Sequence, residues 1–188
     1  MGRPKATLTL EGGDTFLTRI IRSFRAAKVD DVVVVLGHEA EAIEGSLADH
    51  APPARLVINP RYESGQLSSL LAGLAAIDRP GVTAMLLTLV DVPLVSPATI
   101  GAVLDRYRAT KAPIVRPVQG SRHGHPVLID RSLFSALRAA DPTAGAKAIV
   151  RAHVSAAGEV EIADEGAFLD IDTPEEYARI AGLPDRVD

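Results

Sequence analysis

An apolar stretch at residues 84–94 places the strongest constraint on how this chain can fold. Apart from Thr88 it holds no polar side chain until Asp91, and Pro93 follows. Such a run is typical of a strand that is covered on both faces, and in open α/β sheets ligands bind beyond the carboxyl ends of the strands. We therefore expect a buried strand whose end presents Asp91 to a ligand. The alternative is that Asp91 only opens a turn, in which its carboxylate caps local N–H groups.

Composition favours a single domain that spans residues 1–188. The chain is 188 residues long and 47% hydrophobic, which is enough for one core. Its formal charge of -4, without a basic cluster, argues against a nucleic-acid partner. It has no cysteine, so disulfides and thiolate metal sites are excluded. Since neither a signal-peptide pattern nor an apolar run of about 20 residues is present, we expect no membrane partner and a cytoplasmic location.

Strand and helix patterns alternate along the chain, which predicts βα units and a mostly parallel sheet. Asp14 is the predicted N-cap of the first helix, Ser96 that of a middle helix, and Thr173 with Glu176 has capping-box spacing at the last. The predicted strands are residues 32–36, 55–58, 84–91, 113–118, 126–129, 159–163 and 168–171, and the predicted helices cover residues 16–24, 43–47, 67–77, 97–107, 133–137, 144–153 and the segment from 174.

Four loops lie at predicted strand ends or helix starts, where N–H groups and side chains converge on phosphorylated ligands. They are residues 1–5, 59–69, 91–93 and 121–126. Lys5 is either a phosphate-binding charge or a solvated surface residue. In the second loop Gly65 permits a close backbone approach, while Ser68 and Ser69 offer hydroxyls at the start of a helix. The alternative for this loop is an ordinary capped helix.

His123 and His125 are two residues apart, a spacing that on a strand puts both imidazoles on one side. Two histidines make a poor zinc site, so they are either satisfied loop residues or hydrogen-bond partners of a polar substrate. Asp170 and Asp172 have the same spacing, and Asp172 either caps the last helix or binds a metal. Asp91 together with one of this pair would suit Mg²⁺, which prefers hard oxygen ligands and substrate phosphates.

Six segments resemble, in order along the chain, the molybdenum cofactor cytidylyltransferase-like nucleotidyltransferases. The resemblance implies a three-layer α/β/α Rossmann-like fold with a mostly parallel mixed sheet. It also implies Mg²⁺-dependent transfer of a nucleoside monophosphate, with CTP the favoured donor, to a phosphate-bearing acceptor such as molybdopterin. Pyrophosphate is released, and a molybdoenzyme or chaperone partner receives the product. The segments are MGRPK at residues 1–5, GH at 37–38, NPRYESGQLSSL at 59–70, LVDVPL at 89–94, RHGHPV at 122–127 and DIDTPEE at 170–176.

The resemblance also implies roles for individual residues. Lys5 and Asp91 are the catalytic pair, Asp91 and Asp172 hold the metal, and the two histidines His123 and His125 face the acceptor. The implied nucleotide-binding residues are Gly2, Lys5, Asn59, Gly65, Ser68 and Ser69. Where these enzymes often have Asp-Gln-Pro, this chain has Asp91 followed by Val92 and Pro93, which keeps the carboxylate and weakens the choice of cytidylyl transfer over a sister activity.

Members of that family carry a strand and the motif L-A-A-G-x-S-x-R immediately before the segment that is residues 1–5 here, and this sequence contains neither. That strand is central in their fold, so an empty slot would separate its neighbours by about twice the usual ~4.8 Å and leave two unpaired edges. We therefore expect Met1 to be an internal methionine of a longer natural chain, and the domain to be incomplete at its N-terminus. Two alternatives stay open: a nucleotide-binding remnant without catalysis, and a transferase for a sugar phosphate or other metabolite.

Overall fold

The structure is a computed structural model, and it describes residues 3–47 and 51–181. Helices and strands alternate over most of this part of the chain, as the sequence pattern predicts. The helices are α1 (Phe16–Ala26), α2 (Ala40–Leu47), α3 (Gln66–Ile77), α4 (Pro97–Thr110), α5 (Phe134–Arg138), α6 (Gly145–His153) and α7 (Pro174–Ile180). The strands are β1 (Val33–Leu36), β2 (Arg55–Ile58), β3 (Ala84–Leu87), β4 (Ile114–Gln119), β5 (Arg122–His123), β6 (Val127–Asp130) and β7 (Glu159–Glu161).

The strands form two hydrogen-bonded parts, a two-stranded sheet and a five-stranded mixed sheet. β1 pairs with β2 in parallel. In the larger part the order is β3-β6-β4-β5, with antiparallel pairing throughout, and β7 adds to β4 in parallel. Among the described strands, β1 and β3 do not pair with each other. The predicted α/β class, with parallel and antiparallel strands in one fold, is confirmed.

Helices cover both faces of the larger sheet because its strand residues alternate between two apolar clusters. Met85, Ile114 and Ile129 pack with α3 and α5 on one face. Val115 and Leu128 pack with α4 on the other face. This alternation with a period of two residues produces three layers, helix, sheet and helix. None of the described helices has the length and apolar character needed to cross a membrane.

Helix α1 connects the two sheets. Ile21 shares an apolar cluster with Leu36 at the end of β1, while Ile20 belongs to a cluster against which Leu86 of β3 packs. Val90 packs against the first of these clusters, which also contains Ala6. The turn at residues 5–7, the end of β1 and the segment that leads to Asp91 therefore meet at one place.

Two predicted strands differ from the structure. β3 ends at Leu87, so Asp91 lies four residues beyond the strand, and only Met85 of the strand is buried. The ladder stops after Leu87 and Val127 because the next hydrogen-bonded pair would join Leu89 and His125, and the N–H of His125 donates to the carbonyl oxygen of Ala167 instead. Residues 168–171 form no strand; the N–H of Ile171 makes a single backbone bond to the carbonyl oxygen of Asp91.

The predicted N-cap of α1, Asp14, is wrong by one residue. Thr15 caps this helix, and its side chain forms a reciprocal capping box with Thr18. Asp14 instead accepts hydrogen bonds from the hydroxyl of Thr18 and the guanidinium of Arg22. The predicted caps of α4 and α7, Ser96 and Thr173, are confirmed.

Candidate active site

Lys5, Asp91 and Asp172 converge although they are far apart in sequence. Lys5 opens a short 3-10 turn (Lys5–Thr7), Asp91 follows β3, and Asp172 precedes α7. The Nζ of Lys5 donates to Oδ1 of Asp172 at 2.5 Å and lies 3.9 Å from Oδ2 of Asp91. One ammonium therefore bridges two carboxylates at the site that the resemblance implies.

Asp91 is the more buried of the two carboxylates that contact Lys5. Its side chain is 24% exposed, and its Oδ1 atom is buried with no hydrogen-bond partner in the described part of the chain. Burial raises the pKa of Asp91, Lys5 opposes the shift, and the charge of Asp170 adds to the rise. A second positive charge beside Oδ1 would stabilise the carboxylate. Such an orphaned, buried oxygen fits a metal ligand.

A divalent cation fits the chemistry of this cluster. Asp91, Asp170 and Asp172 offer the hard oxygen donors that Mg²⁺ and Mn²⁺ favour. Within residues 3–47 and 51–181, no three His, Asp or Glu side chains are already arranged as a metal site. The ammonium of Lys5 supplies the balancing positive charge in the present arrangement.

The carboxylate of Asp172 is free of a capping role. Thr173 caps α7: its hydroxyl accepts from the N–H of Glu176, and the Glu176 carboxylate accepts from the N–H of Thr173 in return. The same carboxylate accepts from the N–H of Asp172 at 2.9 Å. The side chain of Asp172 is thereby held at the helix start and directed to Lys5.

A buried amide organises the loop at residues 59–69. Asn59 is 3% exposed, and its Nδ2 donates to the hydroxyls of Ser68 at 2.8 Å and Ser69 at 3.0 Å. Its Oδ1 accepts from the N–H of Arg61 at 3.0 Å. Gly65 has φ 96°, a conformation that favours glycine, and α3 begins at the next residue. Asn59 thus shapes the loop from inside, while the backbone around Gly65 forms its outer surface.

The two histidines do not share a strand face as predicted. Strand β5 ends at His123, which is exposed, so the alternation does not continue to His125. The N–H of His125 donates to the carbonyl oxygen of Ala167 at 2.8 Å, and its Nδ1 lies 3.4 Å from the carbonyl oxygen of Leu87. Burial lowers the pKa of His125, and the charges of Asp170 and Asp91 act in the opposite direction. His125 therefore lies near the carboxylate cluster as a neutral ring at pH 7.

Gly2, one of the predicted nucleotide-binding residues, lies outside the described residues.

The sequence analysis did not identify Asp164, which accepts hydrogen bonds from Ser96, Thr99 and Gly166. The local signal was an aspartate two residues before a glycine, which is typical of an Asx turn. Its long-range bonds to the start of α4 leave no trace in the local pattern.

The chain is similar to known proteins in sequence and in fold. A family model described as a MobA-like NTP transferase domain matches residues 1–157. The chain is 31% identical to the nicotine blue oxidoreductase of Paenarthrobacter nicotinovorans, over 96% of this chain and 89% of that protein.

Two solved structures have the same fold. One is Rv0371c of Mycobacterium tuberculosis in complex with manganese, with 28% identity, a TM-score of 0.75 and coverage of 96% of this chain and 93% of that one. The other is a nucleotidyl transferase from Methanothermobacter thermautotroptrophicus, with a TM-score of 0.75 over 95% of this chain and 83% of that one. Its identity of 23% supports the fold alone.

Proposed function

We propose that this chain, which belongs to the family of MobA-like NTP transferase domains, transfers CMP from CTP to the terminal phosphate of molybdopterin with Mg²⁺ as the metal. Membership in this family makes the chain a nucleotidyltransferase. The base, the acceptor and the metal are the proposed parts. The observation that carries the proposal is the convergence of Lys5, Asp91 and Asp172 around one buried, unpartnered carboxylate oxygen.

In the proposed reaction an oxygen of the acceptor phosphate attacks the α-phosphorus of the nucleotide. The bond between the α-phosphorus and its bridging oxygen breaks, and pyrophosphate leaves with that oxygen. Negative charge grows on the nonbridging oxygens, and the Lys5 ammonium would stabilise it. Asp91, with Asp172 or Asp170, would hold the divalent cation, which when bound polarises the α-phosphate. The manganese complex of the similar mycobacterial protein supports a divalent ion in this role.

The nucleotide and the acceptor would lie on opposite sides of Asp91. Asn59 fixes Ser68 and Ser69 at the start of α3, where helix N–H groups favour an anionic triphosphate. On the acceptor side, His125 directs Nδ1 to the Leu87 carbonyl, which leaves Nε2 as a hydrogen-bond acceptor. The exposed His123 would be a second contact. A cytoplasmic molybdoenzyme or its chaperone would then receive the product.

A second candidate function follows from the name of the P. nicotinovorans relative, which is an oxidoreductase. Redox chemistry at a bound nucleotide would release no pyrophosphate, and neither would a nucleotide-binding remnant. Pyrophosphate release therefore separates transfer from both alternatives. Transfer to a sugar phosphate or other metabolite would release pyrophosphate with that acceptor in place of molybdopterin.

The test is a pyrophosphate-release assay with Mg²⁺, each of CTP, GTP, ATP and UTP, and either molybdopterin or a panel of sugar phosphates. We expect release with CTP and molybdopterin, and a loss of kcat of about 10²–10³ in Asp91→Asn, since one electrostatic group at the reacting phosphate is removed. Asp105→Asn is the matched control because Asp105 is an exposed aspartate on α4 that pairs with Arg108. Release by wild type that survives Asp91→Asn would contradict the proposed role of Asp91.

A further inference from the structure

A short segment, residues 164–171, lies between the Asp91 loop and the His125 loop and contacts both. It contains the 3-10 turn Glu165–Ala167, followed by residues without regular structure. Ala167 and Ile171 are fully buried, although no strand or α-helix holds the segment. We call it the linking segment.

The linking segment contacts the Asp91 loop through backbone atoms. The N–H of Ile171 donates to the carbonyl oxygen of Asp91 at 2.8 Å. Gly166 lies so close to Leu94 that a Cβ at this position would be 2.2 Å from the Leu94 carbonyl oxygen. No other residue fits at position 166 without moving one of the two backbones.

The opposite side of the linking segment contacts the His125 loop. The carbonyl oxygen of Ala167 accepts from the N–H of His125 at 2.8 Å. A Cβ at Gly124 would lie 2.4 Å from the same carbonyl oxygen. The linking segment therefore joins the backbone at Asp91 to the backbone at His125 through a few closely packed residues.

Asp164 anchors this arrangement to α4. Its Oδ2 accepts from the N–H of Ser96 at 3.0 Å and from the hydroxyl of Thr99 at 2.7 Å, both at the first turn of α4. Its Oδ1 accepts from the N–H of Gly166 at 3.1 Å. Burial alone would raise the pKa of Asp164, but hydrogen bonds from Thr99 and Ser96 outweigh it and hold the pKa below its usual value.

We propose that Asp164 is a positioning residue that sets the distance between the metal-side carboxylate Asp91 and the acceptor-side imidazole of His125. It acts through the Gly166 amide, the Ala167 carbonyl and the Ile171 amide, and it touches neither substrate nor metal. This role rests on the proposed function, because it assumes that Asp91 and His125 work on one reaction. A residue that only stabilised the fold would leave the site unchanged in molecules that remain folded.

The test compares Asp164→Asn with Asp130→Asn. Asp130 is a matched control because it also ties α4 to a 3-10 turn, accepting from the hydroxyl of Tyr107 and from the N–H of Ser132. Tyr107 is eight residues beyond Thr99 on α4, about 12 Å along the helix axis. Both variants should lower the Tm, so stability alone does not distinguish them.

Two measurements distinguish them without catalysis. In ¹⁵N-histidine spectra, the ring signals of His125 should shift in Asp164→Asn and stay in place in Asp130→Asn. The affinity for Mn²⁺, followed by electron paramagnetic resonance, should fall about 10–100-fold in Asp164→Asn alone, as for other residues that orient metal ligands. If pyrophosphate release is measurable, kcat should fall in the same variant, with the KM for CTP nearly unchanged.

The proposal is overturned if Asp164→Asn melts like the control while its His125 signals and Mn²⁺ affinity match wild type. If Asp164→Asn does not fold, Thr99→Val removes the 2.7 Å bond to Asp164 together with the 3.1 Å contact between the Thr99 and Ser96 hydroxyls, and it should cause a smaller change in the same direction. Unchanged His125 signals in Thr99→Val overturn the proposal equally. Should wild type transfer no nucleotide, the proposed function fails. The His125 spectra would still decide the role of Asp164.

Discussion

Burial raises the pKa of Asp91 even though Lys5 lies 3.9 Å away and opposes the shift. A carboxyl whose pKa is raised on folding contributes stability below its unfolded pKa, and that contribution is lost as the pH rises through its folded pKa. At pH 7 the ionised Asp91 therefore lowers the free energy of unfolding. The site keeps a charge that the fold disfavours, which is typical of a group retained for binding or catalysis.

Asp91→Asn should raise the Tm at pH 7, because the amide needs no charge at this buried position. We expect a rise on the order of 2–4 °C, the change that about 1 kcal/mol produces in a domain of this size. The rise should shrink as the pH falls toward the unfolded pKa of about 3.9, where wild type is protonated too. Thermal melts from pH 4 to pH 8 measure it. A Tm below wild type at pH 7 would show that the carboxylate is stabilising, and a rise independent of pH would show that the ionisation of Asp91 is not its cause.

The sequence predicts which residues belong to the candidate site but not the contacts between them. The family-like segments identified Lys5, Asp91 and Asp172, and the structure brings these three together. Their ion pairs span up to 167 positions, so no local pattern predicts them. Asp164 was missed for the same reason: its partner Thr99 is 65 positions away.

At the scale of elements, the start of α7 determines where Asp172 lies. The helix has seven residues, too few for stability without its cap and its packing. The capping box of Thr173 and Glu176 satisfies the first N–H groups, and the Glu176 carboxylate also accepts from the N–H of Asp172. The cap therefore has two effects, on the stability of the helix and on the direction of a site residue.

Thr173→Ala should lower the free energy of unfolding by about 1 kcal/mol, the usual effect of a lost N-cap. It should also weaken Mn²⁺ binding, since the segment that carries Asp172 loses its anchor. Urea melts and metal titrations measure the two effects. Thr173→Ser is the control, because serine keeps the hydroxyl that accepts from the N–H of Glu176. Full metal affinity in Thr173→Ala would mean that the Thr173 hydroxyl does not contribute to the position of Asp172.

Element boundaries were predictable where local chemistry decides them. Strand β2 has the predicted bounds, and the caps at Ser96 and Thr173 follow from side chains next to their helices. The end of β3 was not predictable from its own apolar run. Its length depends on the register with β6, whose ladder begins after Pro126.

In the whole molecule, β1 and β3 belong to separate hydrogen-bonded sheets, and each has an edge without a described partner strand. We call the space beside these two edges the gap, and hydrogen-bond direction identifies the amides that face it. Arg55 and Asn59 donate to the carbonyl oxygens of Val32 and Leu36. Because alternate residues of a strand face a parallel partner, the amides of Val33 and Val35 face away from β2.

On β3, the hydrogen bonds to β6 show which amides face the gap. The N–H of Arg131 donates to the carbonyl oxygen of Thr83, so the hydrogen-bonded pairs continue at Met85 and Leu87. The amides of Ala84 and Leu86 therefore face away from β6. Among the described strands, neither β1 nor β3 has a partner on this edge.

Hydrogen exchange should alternate along both strands. We expect the four gap-facing amides of Val33, Val35, Ala84 and Leu86 to exchange faster than their neighbours by on the order of tenfold or more, because only the neighbours are held in a ladder. The amides of Val34, Leu36, Met85 and Leu87 are controls within the same strands and apolar surroundings. Exchange followed residue by residue in two-dimensional NMR at low and high protein concentration makes the measurement. Equal protection of all eight amides would mean that an additional strand fills the gap in solution, and protection that appears only at high concentration would identify that strand as part of a second molecule.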